Sequence, residues 1–131
     1  MIHFFSNHKI IFKLTNLVLI TIYLYPGSLA GFVVYNDFSK QPQLTPDFFN
    51  ISSNHFYVFI IVSALGVLTY FKLKKLNYLF GLLILFSIIL ELLHILIPNR
   101  TFQYEDLFGN IYGVLIVMIF WNIYKFYEKH K

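Results

Sequence analysis

Four stretches of the chain are apolar almost without interruption. The first runs from about Ile10 to Tyr25, stops at Pro26-Gly27 and can resume through Ser28 to Tyr35. The second covers His55 to Phe71, the third Tyr78 to Ile97 before Pro98, and the fourth Gly109 to Tyr127. None carries the polar stripe, repeating about every 3.6 residues, that marks a helix with one face in water. The alternation of ~10-residue barrel strands is also missing. About 20 mostly apolar residues, rising ~1.5 Å each, cross a hydrocarbon core of ~30 Å. The pattern therefore predicts an all-α, polytopic membrane protein. It is a bundle of four transmembrane helices forming one domain over residues 1–131.

Composition agrees. Hydrophobic residues make up 58% and charged residues 12%, with mean hydropathy +0.67. A soluble domain carries roughly 25% charged residues. Disorder requires low hydrophobicity and is excluded. The chain has no cysteine, which excludes a disulfide-stapled domain, thiol catalysis and thiolate metal sites.

The net charge of +4 matters less than its placement. Lys9 and Lys13 precede the first span, Lys72, Lys74 and Lys75 separate the second and third, and Lys125, Lys129 and Lys131 follow the fourth. Only Lys40 and Arg100 fall on the other side. The positive-inside rule then predicts cytoplasmic termini and outward loops at Asn36–Asn54 and Pro98–Phe108. Membrane topology and anionic lipid account for these basic residues, so no nucleic-acid partner is expected. Tyr23, Tyr25, Tyr70, Tyr78, Tyr104, Trp121, Tyr124 and Tyr127 fall where interfacial aromatic rings are expected. A rival reading makes the first span a signal peptide cleaved after Ser28-Leu29-Ala30. The outward loop holds Pro42 and Pro46, which favour extended or turn backbone. Asn50-Ile51-Ser52 formally matches a glycosylation acceptor.

The informative residues are the polar ones among apolar neighbours. Glu91 lies inside the third span, where an ionised carboxylate costs about 2.5–3.5 kcal/mol. It should face other helices, be paired or be protonated. His94 follows three residues later on the same face. The next loop supplies Arg100, Glu105 and Asp106. Asn110 opens the fourth span, and Gly109 and Gly113 form a G-x-x-x-G packing pattern. His55 opens the second span. Topology thus gathers His55, Glu91, His94, Arg100, Asp106 and Asn110 at one outward-facing end. Arg100 and Asp106 read either as a clamp on a tight turn or as ligands for an anionic group. His55 taken alone reads as interfacial, and His3, His8 and His130 carry no spacing signal. Glu91-x-x-His94 has the spacing of a di-iron helix, but the second pair and further carboxylates are missing, so no metal and no cofactor is expected. No phosphate loop, dinucleotide fingerprint or nucleophile elbow is present.

The stretch from Glu91 through His94, Pro98, Arg100, Asp106 and Asn110 to Gly113 resembles the signature of VanZ-like membrane proteins. That pattern runs from a glutamate and a polar residue three positions on, through an arginine at a proline-rich turn, to an aspartate, an asparagine and a glycine. Tyr25-Pro26-Gly27 is similar to the family's Leu-Pro-Gly, and Ser53-Asn54-His55-Phe56 to the opening of its second span. The likeness extends from about Leu14 onward. His94 stands where the family usually has glutamine. Ile51 and Ser52 stand where it often has Asp-Lys, so a role needing that pair does not carry over. The resemblance implies a multi-pass protein of a bacterial inner membrane, linked to the cell envelope and to glycopeptide (teicoplanin) resistance, without an established biochemical activity. Membrane lipids and a lipid-linked envelope precursor or lipoglycopeptide are the partners it suggests. Two alternatives stand beside it. One is a small membrane enzyme acting on a lipid-linked substrate with Glu91 as general acid or base, although no complete catalytic set is visible. The other is an assembly subunit that packs through the Gly109/Gly113 face.

Overall fold

The computed structural model describes residues 2–72 and 76–130, with side chains from residue 9 onward. Lys74, Lys75, Lys131 and the side chains of His3 and His8 lie outside the described residues. The described chain is helical: α1 (Ile2–Leu24), α2 (Leu29–Tyr35), α3 (Ser53–Tyr70), α4 (Leu76–Leu93) and α5 (Tyr104–Lys129). A 3-10 turn at His94–Leu96 extends α4. The one pairing of strand type is an isolated bridge between Phe48 and Ile51.

Among the described residues, three helices, Ser53–Tyr70, Leu76–Leu96 with its 3-10 end, and Tyr104–Lys129, are long and apolar enough to cross a membrane. A fourth crossing exists only if α1 and α2 count as one broken span. The expected resumption after Pro26-Gly27 does occur, but the chain turns by 84° there. Pro26 cannot continue a helical hydrogen-bond ladder, and Ser28 starts a new helix by accepting the Gly31 N–H at 2.9 Å. Ser28 N–H in turn donates to Phe38 O at 2.8 Å. α2 is thereby folded onto the loop instead of extending α1.

Two boundaries also move. α5 begins at Tyr104, five residues before the expected Gly109, with Glu105 and Asp106 in its first turn. Acidic groups at a helix start suit the helix dipole. The loop between α4 and α5 shrinks accordingly. α3 begins at Ser53, because Asp47 Oδ1 accepts the Ser53 N–H at 2.8 Å. Asn54 fastens the preceding loop, donating to Pro42 O at 2.7 Å and accepting from Leu44 N at 3.0 Å.

α3 is central and packs most extensively on α5. The apolar core holds Leu19, Phe59, Val62, Leu76, Phe80, Leu83, Leu90 and Val114, with Tyr23 at its edge. The interior is unusually polar: ten buried residues are polar or charged against nine apolar ones. Large apolar side chains crowd the exterior, among them Ile10, Leu17, Leu82, Ile89, Ile119 and Phe120. This inverts the arrangement of a soluble protein, whose exposed apolar patches are small.

Gly109 and Gly113 set the α3–α5 distance. A methyl group on Gly109 would lie 2.6 Å from Ser52 O, and one on Gly113 2.5 Å from Phe56 O. The glycine face is therefore occupied by α3 of the same chain, which removes the surface the assembly reading needed. Gly81 has nothing within 4 Å of such a methyl. Gly113→Ala should destabilise by about 1–3 kcal/mol, because backbone must move. Gly81→Ala should be neutral or stabilise by about 0.5–1 kcal/mol through helix propensity. Thermal unfolding in one detergent compares the two; equal midpoints would show that α5 does not rest on α3 at these glycines.

Candidate functional site

α1 ends where its last carbonyls have no helical partner, a general property of helix C-termini. Side chains from the 94–100 segment fill the gap. Arg100 Nε donates to Tyr25 O at 3.2 Å. Its Nη2 donates to Ile22 O at 3.2 Å and to Gly27 O at 2.6 Å. His94 Nε2 lies 3.0 Å from Tyr23 O. A cation at a helix C-terminus is also favoured by the dipole. Burial lowers the Arg100 pKa from its ordinary value, while Asp106 and Glu91 oppose the shift; guanidinium stays charged regardless. The clamp expected between Arg100 and Asp106 is thus a clamp between Arg100 and α1. Asp106 lies instead against His55, with Oδ2 3.5 Å from Nε2.

Glu91 is fully buried, at 0% exposure. Its Oε1 accepts the Gln103 N–H at 3.0 Å, at the start of α5, and faces His94 Nδ1 at 3.2 Å. Its Oε2 is buried with no hydrogen-bond partner.

Hydrogen-bond accounting then sets what the two histidine contacts require. A carbonyl only accepts, so His94 Nε2 must carry a proton to bond Tyr23 O. A neutral ring has just one, which leaves Nδ1 bare toward Glu91 Oε1. The contact needs a second proton, held either on the ring or on the carboxyl. Both histidine contacts are satisfied together only when a proton lies between Nδ1 and Glu91 Oε1, 3.2 Å apart.

A second group meets the first. Tyr23 Oη donates to Asn110 Oδ1 at 2.9 Å. His55 Nδ1 lies 3.0 Å from Tyr23 Oη and 3.2 Å from Asn110 Oδ1. With the tyrosine hydrogen directed at the amide oxygen, Nδ1 is the donor to Tyr23 Oη. That leaves Nε2 turned toward Asp106. Tyr23 is 6% exposed, so it is no interfacial belt residue but a buried link between α1, α3 and α5. Its ring also stacks on His94, with centroids 6.0 Å apart. A ring nitrogen of His55 and one carboxylate oxygen each from Glu91 and Asp106 lie within 4.8 Å of one another.

The structure thus brings His55, Glu91, His94, Asp106 and Asn110 to one end of the bundle, with Arg100 at its margin. Tyr23 is the member that residue type did not mark. A tyrosine at the end of an apolar run has the pattern of a belt residue, and only the break at Pro26 hints that its helix ends inside.

Of the cavities that open beside this network, two differ sharply in character. One, of about 310 Å³, is lined by Gln43, Asp47, Ser52, Asn99, Gln103 and Asp106, with Gln41, Asn54, His94, Arg100 and Thr101. The other, of about 350 Å³, is mostly apolar, walled by Ile22, Leu29, Val34, Leu44 and Val58. Gln41, Asn54 and Arg100 line both. Comparison with protein-family models, with curated proteins and with solved structures finds no match for the chain.

Glu91→Gln tests the shared proton. An amide oxygen in place of Oε1 can still accept from Gln103, but it cannot supply the missing proton to His94. The amide serves Gln103 with its oxygen or His94 with its NH2, so one of the two contacts is lost, which costs about 1–3 kcal/mol when buried. The variant should unfold at a lower temperature than wild type although it is isosteric. Unchanged stability would mean that no proton is shared.

Proposed function

We propose that this chain is a VanZ-like, multi-pass protein of a bacterial inner membrane that holds an amphiphile at its outward end. The observation that carries the reading is the pair of adjoining cavities, one polar and one apolar, with Gln41, Asn54 and Arg100 on their shared border. Such a pair suits a molecule with a hydrophilic head and a hydrocarbon tail. Insertion of four spans, with both termini in the cytoplasm, is supported by the polar interior, the apolar exterior and the lysine distribution.

The chemistry of the polar cavity refines the ligand class. Arg100 already gives three hydrogen bonds to the end of α1 and the turn after it, and Asp47 and Asp106 face the same space. A strongly anionic head would meet two carboxylates there. Amides and hydroxyls dominate the rest of the wall, and they suit a head rich in hydroxyl and amide groups. A glycosylated envelope lipid or a lipoglycopeptide has that character. This agrees with the envelope and glycopeptide-resistance role that the motif resemblance implies.

Native mass spectrometry of the purified protein with a dodecyl glycoside and with dodecyl phosphate separates the head classes. The glycoside adduct should survive activation in wild type and be lost in Leu44→Trp, which fills the apolar cavity. The phosphate adduct should be the weaker one. Equal retention by wild type and variant would remove the proposal.

A further inference from the structure

The cluster of His55, Glu91 and Asp106 is more than a hydrogen-bond network, because its members face one another with acceptors. In its neutral form His55 donates through Nδ1 and presents the Nε2 lone pair toward Asp106 Oδ2 at 3.5 Å. Glu91 uses Oε1 for His94 and Gln103. Its Oε2 is left buried and without a partner. One ligand atom from each of the three residues lies within 4.8 Å of the other two. Converging acceptors in a buried place need positive charge between them.

We propose that His55, Glu91 and Asp106 bind one divalent transition-metal cation, with zinc as the best-fitting ion. One imidazole nitrogen and two carboxylate oxygens, with no thiolate, form a borderline donor set that suits zinc. Ligand bonds of about 2.0–2.2 Å in a tetrahedral site place donors about 3.4 Å apart. The His55–Asp106 separation of 3.5 Å already has this value, and every pair lies within 4.8 Å. The supporting contacts are those a metal site uses. A metal-bound histidine donates its other ring N–H to a fixed acceptor, here Tyr23 Oη. The ligating carboxylate is itself hydrogen-bonded, here Glu91 through the Gln103 N–H and His94. Entry is through the polar cavity, which Asp106 lines. The donors come from α3, α4 and α5, so a bound cation would pin these helices at their outward ends. His94 is not a ligand, and the Glu91-x-x-His94 spacing therefore gave no hint of the site. The cation site stands whether or not the cavities take an amphiphile.

The test uses the full chain in detergent, stripped with EDTA and titrated with zinc alone by calorimetry and by elemental analysis after desalting. Wild type should bind one zinc per chain with Kd below about 1 µM, and its thermal midpoint should rise with zinc and fall again with EDTA. Asp106→Asn changes the most exposed of the three ligands and keeps its shape. It should remain folded by circular dichroism and gel filtration, and bind zinc at least 100-fold more weakly. Tyr23→Phe removes the acceptor for His55 and should weaken zinc by about 10–100-fold. A folded wild type that binds no zinc at 100 µM overturns the proposal. So does a folded Asp106→Asn that binds zinc as tightly as wild type.

Discussion

The carbonyls left open at the break after α1 are the constraint on which this end of the bundle depends. Pro26 and Gly27 stop the helix, and α2 leaves at 84°. Four carbonyls, of Ile22, Tyr23, Tyr25 and Gly27, then take side-chain donors from His94 and Arg100. In hydrocarbon an unsatisfied backbone group costs several kcal/mol, so irregular backbone persists only where protein covers it. The Pro98-Asn99 turn places Arg100 over that end, with Asn99 in the left-handed region at φ 62°. His94 serves Tyr23 O through Nε2, which turns its Nδ1 toward Glu91 Oε1. The placing of Glu91 and His94 is thus tied to a break in the first helix.

Much of the fold is legible in the sequence. Unbroken apolar runs give helices, and breaks at Pro26, Pro98 and the loop from Asn36 give their order. Boundaries are less legible, because they depend on polar contacts made at a distance. α3 starts at Ser53 since Asp47 caps it from the loop. α5 starts before its apolar run, because Glu105 and Asp106 suit a helix N-terminus better than a loop. The 84° bend could not be read at all: Pro-Gly announces a stop, but the new direction comes from Ser28 and Phe38.

The candidate site is legible by another route. Glu91 stands out because ionisable groups in apolar segments are rare and turn inward. Once it points into the bundle, helix order alone gathers Asp106, Asn110 and His55 beside it. Pairing within that group is not legible. Arg100 next to two acidic residues suggests an ion pair, yet an arginine fork matches several carbonyls of a helix end equally well. Gly109 and Gly113 signal a close helix contact, but not whether the partner helix belongs to the same chain. Tyr23 shows neither an unusual residue type nor a spacing, although it links three helices.

The most direct test of this account is hydrogen–deuterium exchange of the segment 20–35 in lipid nanodiscs, comparing wild type with Arg100→Met. Removing the guanidinium keeps most of the apolar stem but leaves Ile22, Tyr25 and Gly27 without its donors. The account predicts faster exchange in this segment and around Gln103, with the middle of α3 and α5 unchanged. Identical exchange in the two proteins would contradict it, because the end of α1 would then be held by something other than Arg100.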